Sequence, residues 1–292
     1  MLADKPESKF DLAEAHRMLG QYTLTDGFSS TVAQSTAHFL KQIEVFDANP
    51  AMKTSYSTLY ASGVTQAAAN LRAAGFLPDA SALYARILGP DRSCLDANII
   101  TSTLINHSAV LERLGEPAAA VAAIDDLLAS YPDYGSADGE RLRLRMRRLG
   151  LLFPDKADPN RLSALQVLWN DPLARKTAWC LDLGIALSDS FRASGKVAEA
   201  INLELAVLDC LEANRDDWTA SGLKDKPGAR HPRELQTIEV TFLSKLQSAD
   251  SHNRPDACIR ALRRLCQLAR DPDERASFSL HLQRLGQAPC GQ

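Results

Sequence analysis

The sequence predicts an all-α protein, a right-handed α-solenoid of stacked antiparallel helix hairpins. Ala and Leu dominate the composition while β-branched runs are scarce, which favours helices over strands. Pro and Gly interrupt the helical periodicity where helices would start and stop. A large apolar residue is followed four positions later by Gly and five after that by Ala, and the glycines lie 40 and then 80 residues apart. A period of this kind indicates a helical repeat. The triplets are Leu71–Gly75–Ala80, Leu111–Gly115–Ala120 and Phe191–Gly195–Ala200.

The first half of the chain is predicted to form a helical pair followed by two hairpins. Asn49-Pro50 separates the pair from the hairpins, and Gly75 and Gly115 separate the two helices within each hairpin. Pro78 and Pro117 are suited to the first turn of a helix, because proline lacks the N–H that would stay unpaired there. The predicted helices span residues 9–23, 30–46, 51–74, 78–88, 95–114 and 117–130.

The second half is predicted to contain two more hairpins, a last pair and a short closing helix. In the third hairpin the turn is placed around 150–159, and Asp155 stands where the repeat has Ala. The polar segment 216–232 is predicted to be a long loop. The predicted helices begin near residues 137, 162, 173, 197, 233, 254 and 273.

These elements group into four predicted parts. Residues 1–50 form an N-terminal helical pair that acts as a cap, and residues 51–215 form the repeats. The loop 216–232 follows, and residues 233–292 form a C-terminal helical pair with a capping helix.

Each residue of the triplet has a predicted packing role. Gly permits the positive φ needed where one helix ends and the next begins. Ala lies where the two helices approach closely, and the bulky residue before Gly fills the seam between them. Since a hairpin cannot bury its apolar faces alone, neighbouring hairpins must stack.

The pattern resembles the tetratricopeptide repeat family, whose unit has a small residue in the turn, Ala five later, a large residue four beyond and Pro near the end. The period of 40 here is closer to the long-helix variants of that family, such as kinesin light chain repeats. The resemblance covers about residues 60–215, and its fourth unit diverges because Glu204 stands at the large position. The matching residues are Gly75, Ala80, Tyr84 and Pro90; Gly115, Ala120, Ile124 and Pro132; and Gly195 and Ala200.

The resemblance implies a scaffold or adaptor that binds another protein or a peptide. The partner, which can be acidic, would lie in a concave groove lined by the first helix of each hairpin. One subgroup of the family holds a C-terminal carboxylate with a set of Lys, Asn and Arg residues. Asn106 and Arg141 coincide with two positions of that set, whereas Thr65, Ala69 and Ala137 stand at the other three. We therefore do not expect a carboxylate clamp of that kind.

Arginines supply the candidate binding residues. Residues 141–148 hold five arginines, with Arg141, Arg145 and Arg148 on one helical face. The simplest interpretation is a solvated face paired with acids, and the alternative is a site for an anionic ligand. Arginines near the ends of other first helices, Arg192 among them, could extend this surface. The candidate partner-binding residues are Arg72, Asn106, Arg113, Arg141, Arg145 and Trp218.

Trp218 has two interpretations because it lies in the predicted polar loop. It either docks onto its own fold, which is the more common outcome for a large aromatic residue, or contacts a partner.

Two other binding functions stay open, and catalysis is not expected. The protein could be a regulator that senses a ligand or peptide, or a binder of nucleic acid or another polyanion through the 141–148 helix. The net charge of −3 at pH 7 disfavours nucleic acid. No nucleophile–base arrangement, metal-ligand spacing or nucleotide motif is visible in the sequence, so no enzyme activity, metal or cofactor is expected.

The sequence also predicts a cytoplasmic protein that does not cross a membrane. No apolar stretch resembles a signal peptide or a transmembrane helix. The spacing of the six cysteines suggests no disulfide framework, which favours free and mostly buried thiols in a reducing compartment. The oligomeric state is not predicted.

Overall fold

The computed structural model describes residues 6–25, 29–89, 91–133, 139–172, 174, 177–219 and 230–290. The described residues are helical apart from turns and one isolated bridge, and they contain no strand. The predicted all-α fold of stacked antiparallel helix hairpins is confirmed. Contacts divide the chain into two compact units, unit 1 (Met1–Pro132) and unit 2 (Asp133–Gln292).

Unit 1 contains three helical pairs and a short additional helix. Tyr56 alone separates α3 from α4. The pairs α1–α2, α4–α5 and α6–α7 pack together, and α2 and α5 join them into one body by packing on α4 and α6 respectively. Its helices are α1 (Pro6–Thr25), α2 (Ser29–Asp47), α3 (Pro50–Ser55), α4 (Ser57–Ala73), α5 (Leu77–Leu88), α6 (Ala97–Arg113) and α7 (Pro117–Ser130).

Unit 2 contains the remaining hairpins and the C-terminal helices. The pairs α8–α9, α10–α11, α12–α13 and α13–α14 pack against each other, and α9 and α12 connect them through α10 and α11. A short 3₁₀ helix, Ala249–His252, joins α12 to α13. Its helices are α8 (Glu140–Leu152), α9 (Pro159–Trp169), α10 (Cys180–Ala193), α11 (Val197–Trp218), α12 (Pro232–Leu246), α13 (Pro255–Leu268) and α14 (Pro272–Arg284).

The turn glycines of the three triplets share one backbone conformation. Gly75, Gly115 and Gly195 have φ of 88°, 78° and 75°. A Cβ atom at any of the three would meet nothing within 4 Å, so conformation rather than space requires glycine. The residue after each glycine donates its N–H to the carbonyl five positions earlier, as in a Schellman motif. These bonds are Phe76 to Leu71 (2.9 Å), Glu116 to Leu111 (2.9 Å) and Lys196 to Phe191 (2.8 Å).

The alanines of the triplets lie where the packing argument places them. Ala80, Ala120 and Ala200 are all 0% exposed. Leu71, which precedes the first turn, packs against the cluster that contains Ala80 and Tyr84. The triplet is therefore part of the core of its hairpin.

Each unit has its own hydrophobic core. In unit 1, Phe46 meets Tyr60 edge-on with ring centroids 5.6 Å apart. The larger cluster of unit 1 includes Phe39, Phe46, Met52, Tyr60, Val64 and Ile87. The cluster of unit 2 includes Leu165, Leu181, Leu183, Trp218, Phe242 and Leu262.

The turn of the third hairpin lies within the predicted range 150–159, but it begins later than predicted. Gly150 lies within α8, which continues to Leu152, and it has no positive φ. The turn ends at Asp158, whose carboxylate accepts a hydrogen bond from the N–H of Asn160 at the start of α9. Sequence spacing alone does not distinguish a glycine within a helix from a glycine in a turn. The absence of Ala at position 155 indicated that this hairpin differs from the other repeats.

The predicted loop 216–232 is shorter at both ends than the sequence suggests. Helix α11 continues to Trp218, and α12 already begins at Pro232. Within the predicted loop, residues 220–229 lie outside the described residues.

The boundary between the two units, after Pro132, falls inside the predicted repeat block 51–215.

A further turn has the triplet geometry without a glycine. Asn253 has φ of 59°, and the next residue, Arg254, donates to the carbonyl of Ala249 at 3.0 Å. Cys258, five positions after Asn253, is fully buried like the triplet alanines. Asn adopts the left-handed region more readily than other side chains, so the same spacing recurs with different residues.

The expectation of free thiols was wrong for two cysteines. Cys266 on α13 and Cys290 form a disulfide with a Cα–Cα distance of 5.8 Å. It fastens the segment after α14 to α13. The cysteines are 24 residues apart, and only the packing of α14 on α13 brings them together.

Candidate functional site

Three of the predicted binding residues meet in unit 1, on the second halves of α4 and α6. Nη1 of Arg72 donates to Oδ1 of Asn106 at 3.0 Å. Nη1 of Arg113 contacts the backbone carbonyl of Arg72 at 3.4 Å. That carbonyl is in the last turn of α4, where the helix dipole favours a cation. Arg72, Asn106 and Arg113 are hereafter the unit 1 arginine site.

The amide of Asn106 is oriented by its own helix. Its Nδ2 donates to the carbonyl of Ser102 at 2.9 Å, which turns Oδ1 toward Arg72. The guanidinium of Arg72 is therefore held by a neutral group. Among the described residues, neither Arg72 nor Arg113 takes part in an ion pair.

The unit 1 arginine site is open to solvent. Arg113 is exposed, and Arg72 and Asn106 are half-buried. Helices α4 and α6 contact each other, so their accessible faces are adjacent. Accessible positions on these two helices include the small or uncharged Ser62, Gln66, Ala69, Ser102 and Ala109, and the acidic Glu112 beside Arg113 is exposed too.

His107 lies one residue after this site but faces the hairpin interior. Its Nε2 is 3.0 Å from Oγ of Ser81 on α5, and its ring is 6.2 Å from that of Tyr84. Burial lowers its pKa. These contacts make His107 a packed residue rather than part of the accessible surface.

The arginine-rich helix α8, in unit 2, is largely engaged with its own unit. Nε of Arg143 donates to Glu140 at 2.9 Å, and its guanidinium lies 5.3 Å from the ring centroid of Trp179. Arg145 is 4.0 Å from Asp171, with both side chains exposed. Arg141 and Arg148 also interact with neighbouring groups. The acids reduce the positive charge that α8 offers to a partner.

Trp218 does not belong to an accessible surface. It is 5% exposed and lies in the core of unit 2. Its carbonyl accepts the N–H of Arg230 at 2.8 Å, beside an isolated parallel bridge between Thr219 and Arg230. Of its two interpretations, docking onto its own fold is the one observed, because α11 extends far enough to carry the indole inside.

Arg192, expected to extend the arginine surface, points instead to a buried acid. Its Nε and Nη2 donate to the two carboxylate oxygens of Glu204 at 2.8 and 2.7 Å, and Ser188 donates to the same carboxylate. Glu204 is 0% exposed. Glu204, which stands where the predicted repeat pattern has a large residue, thus forms an ion pair with Arg192.

A second group that sequence reasoning missed surrounds Asp91 in unit 1. Its carboxylate accepts hydrogen bonds from Tyr60 at 2.6 Å, from Lys53 at 3.2 Å and from Arg86 at 3.2 Å. Burial alone would raise the pKa of Asp91, but these bonds together lower it. Burial and the bond to Asp91 raise the pKa of Tyr60. Because both oxygens of Asp91 are occupied by donors, this network supports the fold rather than chemistry.

Within the described residues, one group of His, Cys and acidic side chains has metal-ligand geometry. Asp250, Cys258 and His281 bring one donor atom each within 4.8 Å of one another in unit 2. Sγ of Cys258 is 3.9 Å and Oδ2 of Asp250 is 3.5 Å from Nε2 of His281. Burial, and next to it the charge of Asp250, raises the pKa of Cys258 to about 11. The three residues lie on three elements, so no sequence spacing predicted them.

None of the described helices combines the length and apolar character needed to cross a bilayer.

Comparisons with known proteins give a likeness to solved structures only. No family model and no curated protein match the chain. Among solved structures, the chain is similar to a tetratricopeptide repeat protein from Parabacteroides merdae, with a TM-score of 0.37 and 11% sequence identity. The alignment covers 92% of this chain and 98% of that chain. A likeness of this size does not specify a partner.

Proposed function

We propose that the protein is a scaffold or adaptor that binds a protein or peptide, and that the unit 1 arginine site contacts acidic groups of the partner. The observation that carries the proposal is the way these arginines are held. Arg72 and Arg113 are fixed by a side-chain amide and a backbone carbonyl, and no carboxylate among the described residues neutralises them. Several accessible positions on the same two helices, such as Ser62, Gln66 and Ser102, are uncharged.

The chemistry of the guanidinium group suits this role. It offers planar, paired donors that match a carboxylate, and it stays charged at any physiological pH. Holding Arg72 in place before binding lowers the conformational entropy lost when a partner is captured. Stacked helix hairpins present such residues on an extended surface, as helical repeat proteins do.

The first test measures binding of short acidic, neutral and basic peptides by fluorescence anisotropy. We expect wild-type protein to prefer acidic peptides, and Arg72→Glu with Arg113→Glu to weaken their binding by about tenfold or more, because attraction becomes repulsion. Arg233→Glu with Arg284→Glu, two exposed arginines of unit 2, makes the same change in net charge. Equal affinities for both double variants would show that only overall charge matters and would refute the site.

A second arm of the same experiment reverses the charges at Arg141 and Arg145. If α8 also contacts the partner, this double variant weakens capture. Unchanged binding would remove α8 from the interface, as its pairing with Glu140 and Asp171 suggests. The pairing likewise disfavours the alternative of a polyanion bound through this helix.

A cytoplasmic location stays a prediction. The disulfide between Cys266 and Cys290 is the feature that disfavours it, because such bonds are rare in reducing compartments.

A further inference from the structure

We propose that Asp250, Cys258 and His281 bind a divalent transition-metal ion of the zinc type, with one coordination position left for water or another ligand. This group is hereafter the Cys–His–Asp site. It is independent of the proposed peptide binding, because it lies in unit 2 and involves none of the arginines.

The separations of the donor atoms fit a small tetrahedral ion. Zinc lies about 2.0–2.3 Å from N, O and S ligands, so donor atoms on adjacent corners of a tetrahedron are about 3.4–3.6 Å apart. The observed distance of 3.5 Å from Nε2 to Oδ2 agrees with these values, the 3.9 Å from Nε2 to Sγ is longer, and all three donor atoms lie within 4.8 Å of one another. A small inward movement of the half-buried His281 and Asp250 would complete the geometry.

The surrounding fold fixes the three ligands. Asp250 lies on the 3₁₀ helix, and the left-handed turn at Asn253 directs the chain into α13, where Cys258 is fully buried. His281 lies in the last turn of α14, next to Leu282, which is also buried. The disulfide fastens the end of α14 to α13. The thiol of Cys258 thus faces inward, while the imidazole of His281 and the carboxylate of Asp250 are partly exposed, so an ion can reach the site from solvent.

A catalytic triad would require a different arrangement. In a relay, the nucleophile meets one imidazole nitrogen and the acid orients the ring through the other. Here Sγ and Oδ2 both approach Nε2. Three donors that converge on one point suit a cation instead.

The donor types select the metal class. A sulfur, an imidazole nitrogen and one carboxylate oxygen match zinc and neighbouring transition metals, whereas calcium and magnesium require mostly oxygen. Cys258 donates its thiol proton to the carbonyl of Gln247 at 3.0 Å. Because the thiolate is the ligand form, the bound ion takes the place of that proton, which leaves to solvent.

The test is a cobalt titration of the full chain, stripped with chelator and kept without reductant so that the disulfide stays intact. Co²⁺ bound through a thiolate gives a near-ultraviolet charge-transfer band, and tetrahedral Co²⁺ gives intense visible bands. We expect both bands, and we expect added Zn²⁺ to abolish them. Cys258→Ser should remove the charge-transfer band, and His281→Asn and Asp250→Asn should each weaken binding at least about tenfold.

Unit 2 offers a matched control for each ligand type. His252→Asn and Asp256→Asn change exposed residues of the same types, and Cys210→Ser changes a cysteine on α11. These three variants should bind cobalt as wild type does. Circular dichroism verifies that every variant is folded, and a zinc-induced rise in melting temperature, absent in Cys258→Ser, gives a second readout. Absence of the bands in wild type, or equal binding by ligand and control variants, would overturn the proposal.

Discussion

At the scale of single residues, the backbone conformation of the turns decides which side chains are allowed. Gly75, Gly115 and Gly195 are surrounded by open space, so no steric contact excludes a larger residue. Their positive φ excludes a larger residue instead, because an L-amino acid is strained in that backbone conformation. Asn253 shows the one tolerated exception among the described residues.

The first residue-scale prediction compares two glycines that spacing alone treats alike. Gly115→Ala should lower the free energy of unfolding by about 1–2 kcal/mol, because φ is 78°. Gly150→Ala should raise it by about 0.5–1 kcal/mol, because Gly150 is inside α8 and Ala favours the helix. Neither added Cβ meets an atom within 4 Å. Denaturant unfolding followed by circular dichroism measures both, and equal effects would contradict the role given to φ.

At the scale of helices, the arginines are held in two ways. In unit 1, Arg72 and Arg113 are held by neutral groups at helix ends and keep their charge available. In unit 2, Arg192 is committed to the buried carboxylate of Glu204, across α10 and α11. Similar positions in the repeat therefore hold an arginine through neutral groups in one hairpin and through a buried acid in another.

The buried pair between α10 and α11 gives an element-scale prediction. Glu204→Leu alone should destabilise by about 3 kcal/mol, because it leaves the Arg192 guanidinium without its partner. Adding Arg192→Met should recover most of this loss, since an apolar pair of similar volume removes the uncompensated charge. The three tryptophans, Trp169, Trp179 and Trp218, all lie in unit 2, so tryptophan fluorescence reports its unfolding. A double variant as unstable as the single one would contradict this account.

At the scale of the whole molecule, acid should destabilise the fold through carboxylates held by cations. The pKa of Asp91 in unit 1 and that of Glu239 in unit 2 are both lowered; burial opposes the shift, and hydrogen bonds from Lys53 and Tyr60 to Asp91 and from arginines to Glu239 outweigh it. A carboxylate with a lower pKa in the folded chain stabilises it fully above the unfolded pKa of about 4. That stabilisation is lost as pH falls through the folded pKa.

We therefore expect the free energy of unfolding to fall below about pH 4. Asp91→Asn should reduce the steepness of this fall, because one titrating group is removed. Asp11→Asn, at an exposed position of α1, serves as its control. Urea unfolding at a series of pH values measures both, and an unchanged pH dependence in Asp91→Asn would contradict the assignment.

The fold was predictable from the sequence where one residue type marks one geometry. Gly75 and Gly115 mark turns because few other residues adopt their φ, and the buried alanines follow at a fixed distance. Gly150 was wrongly assigned to a turn, because the sequence does not distinguish a glycine within a helix from a turn glycine.

The candidate sites were predictable only in part, because they depend on neighbours distant in the chain. Arg72 and Asn106 were chosen for their place on first helices, and the structure joins them across 34 residues. Arg192 was chosen for the same reason, yet its direction is set by Glu204 on the next helix. The Cys–His–Asp site depends on the packing of α13 and α14, which no local pattern encodes.

The disulfide also has a topological consequence for the C-terminal region. Cys266 and Cys290 close a covalent ring that contains the whole of α14. A single backbone cut by a protease anywhere within α14 would leave both pieces in one molecule, and only reduction would release the segment beyond the cut. In the uncut chain, His281 is linked to the helix that carries Cys258 through two covalent routes, one along the chain and one through sulfur, and a single cut would leave one of them.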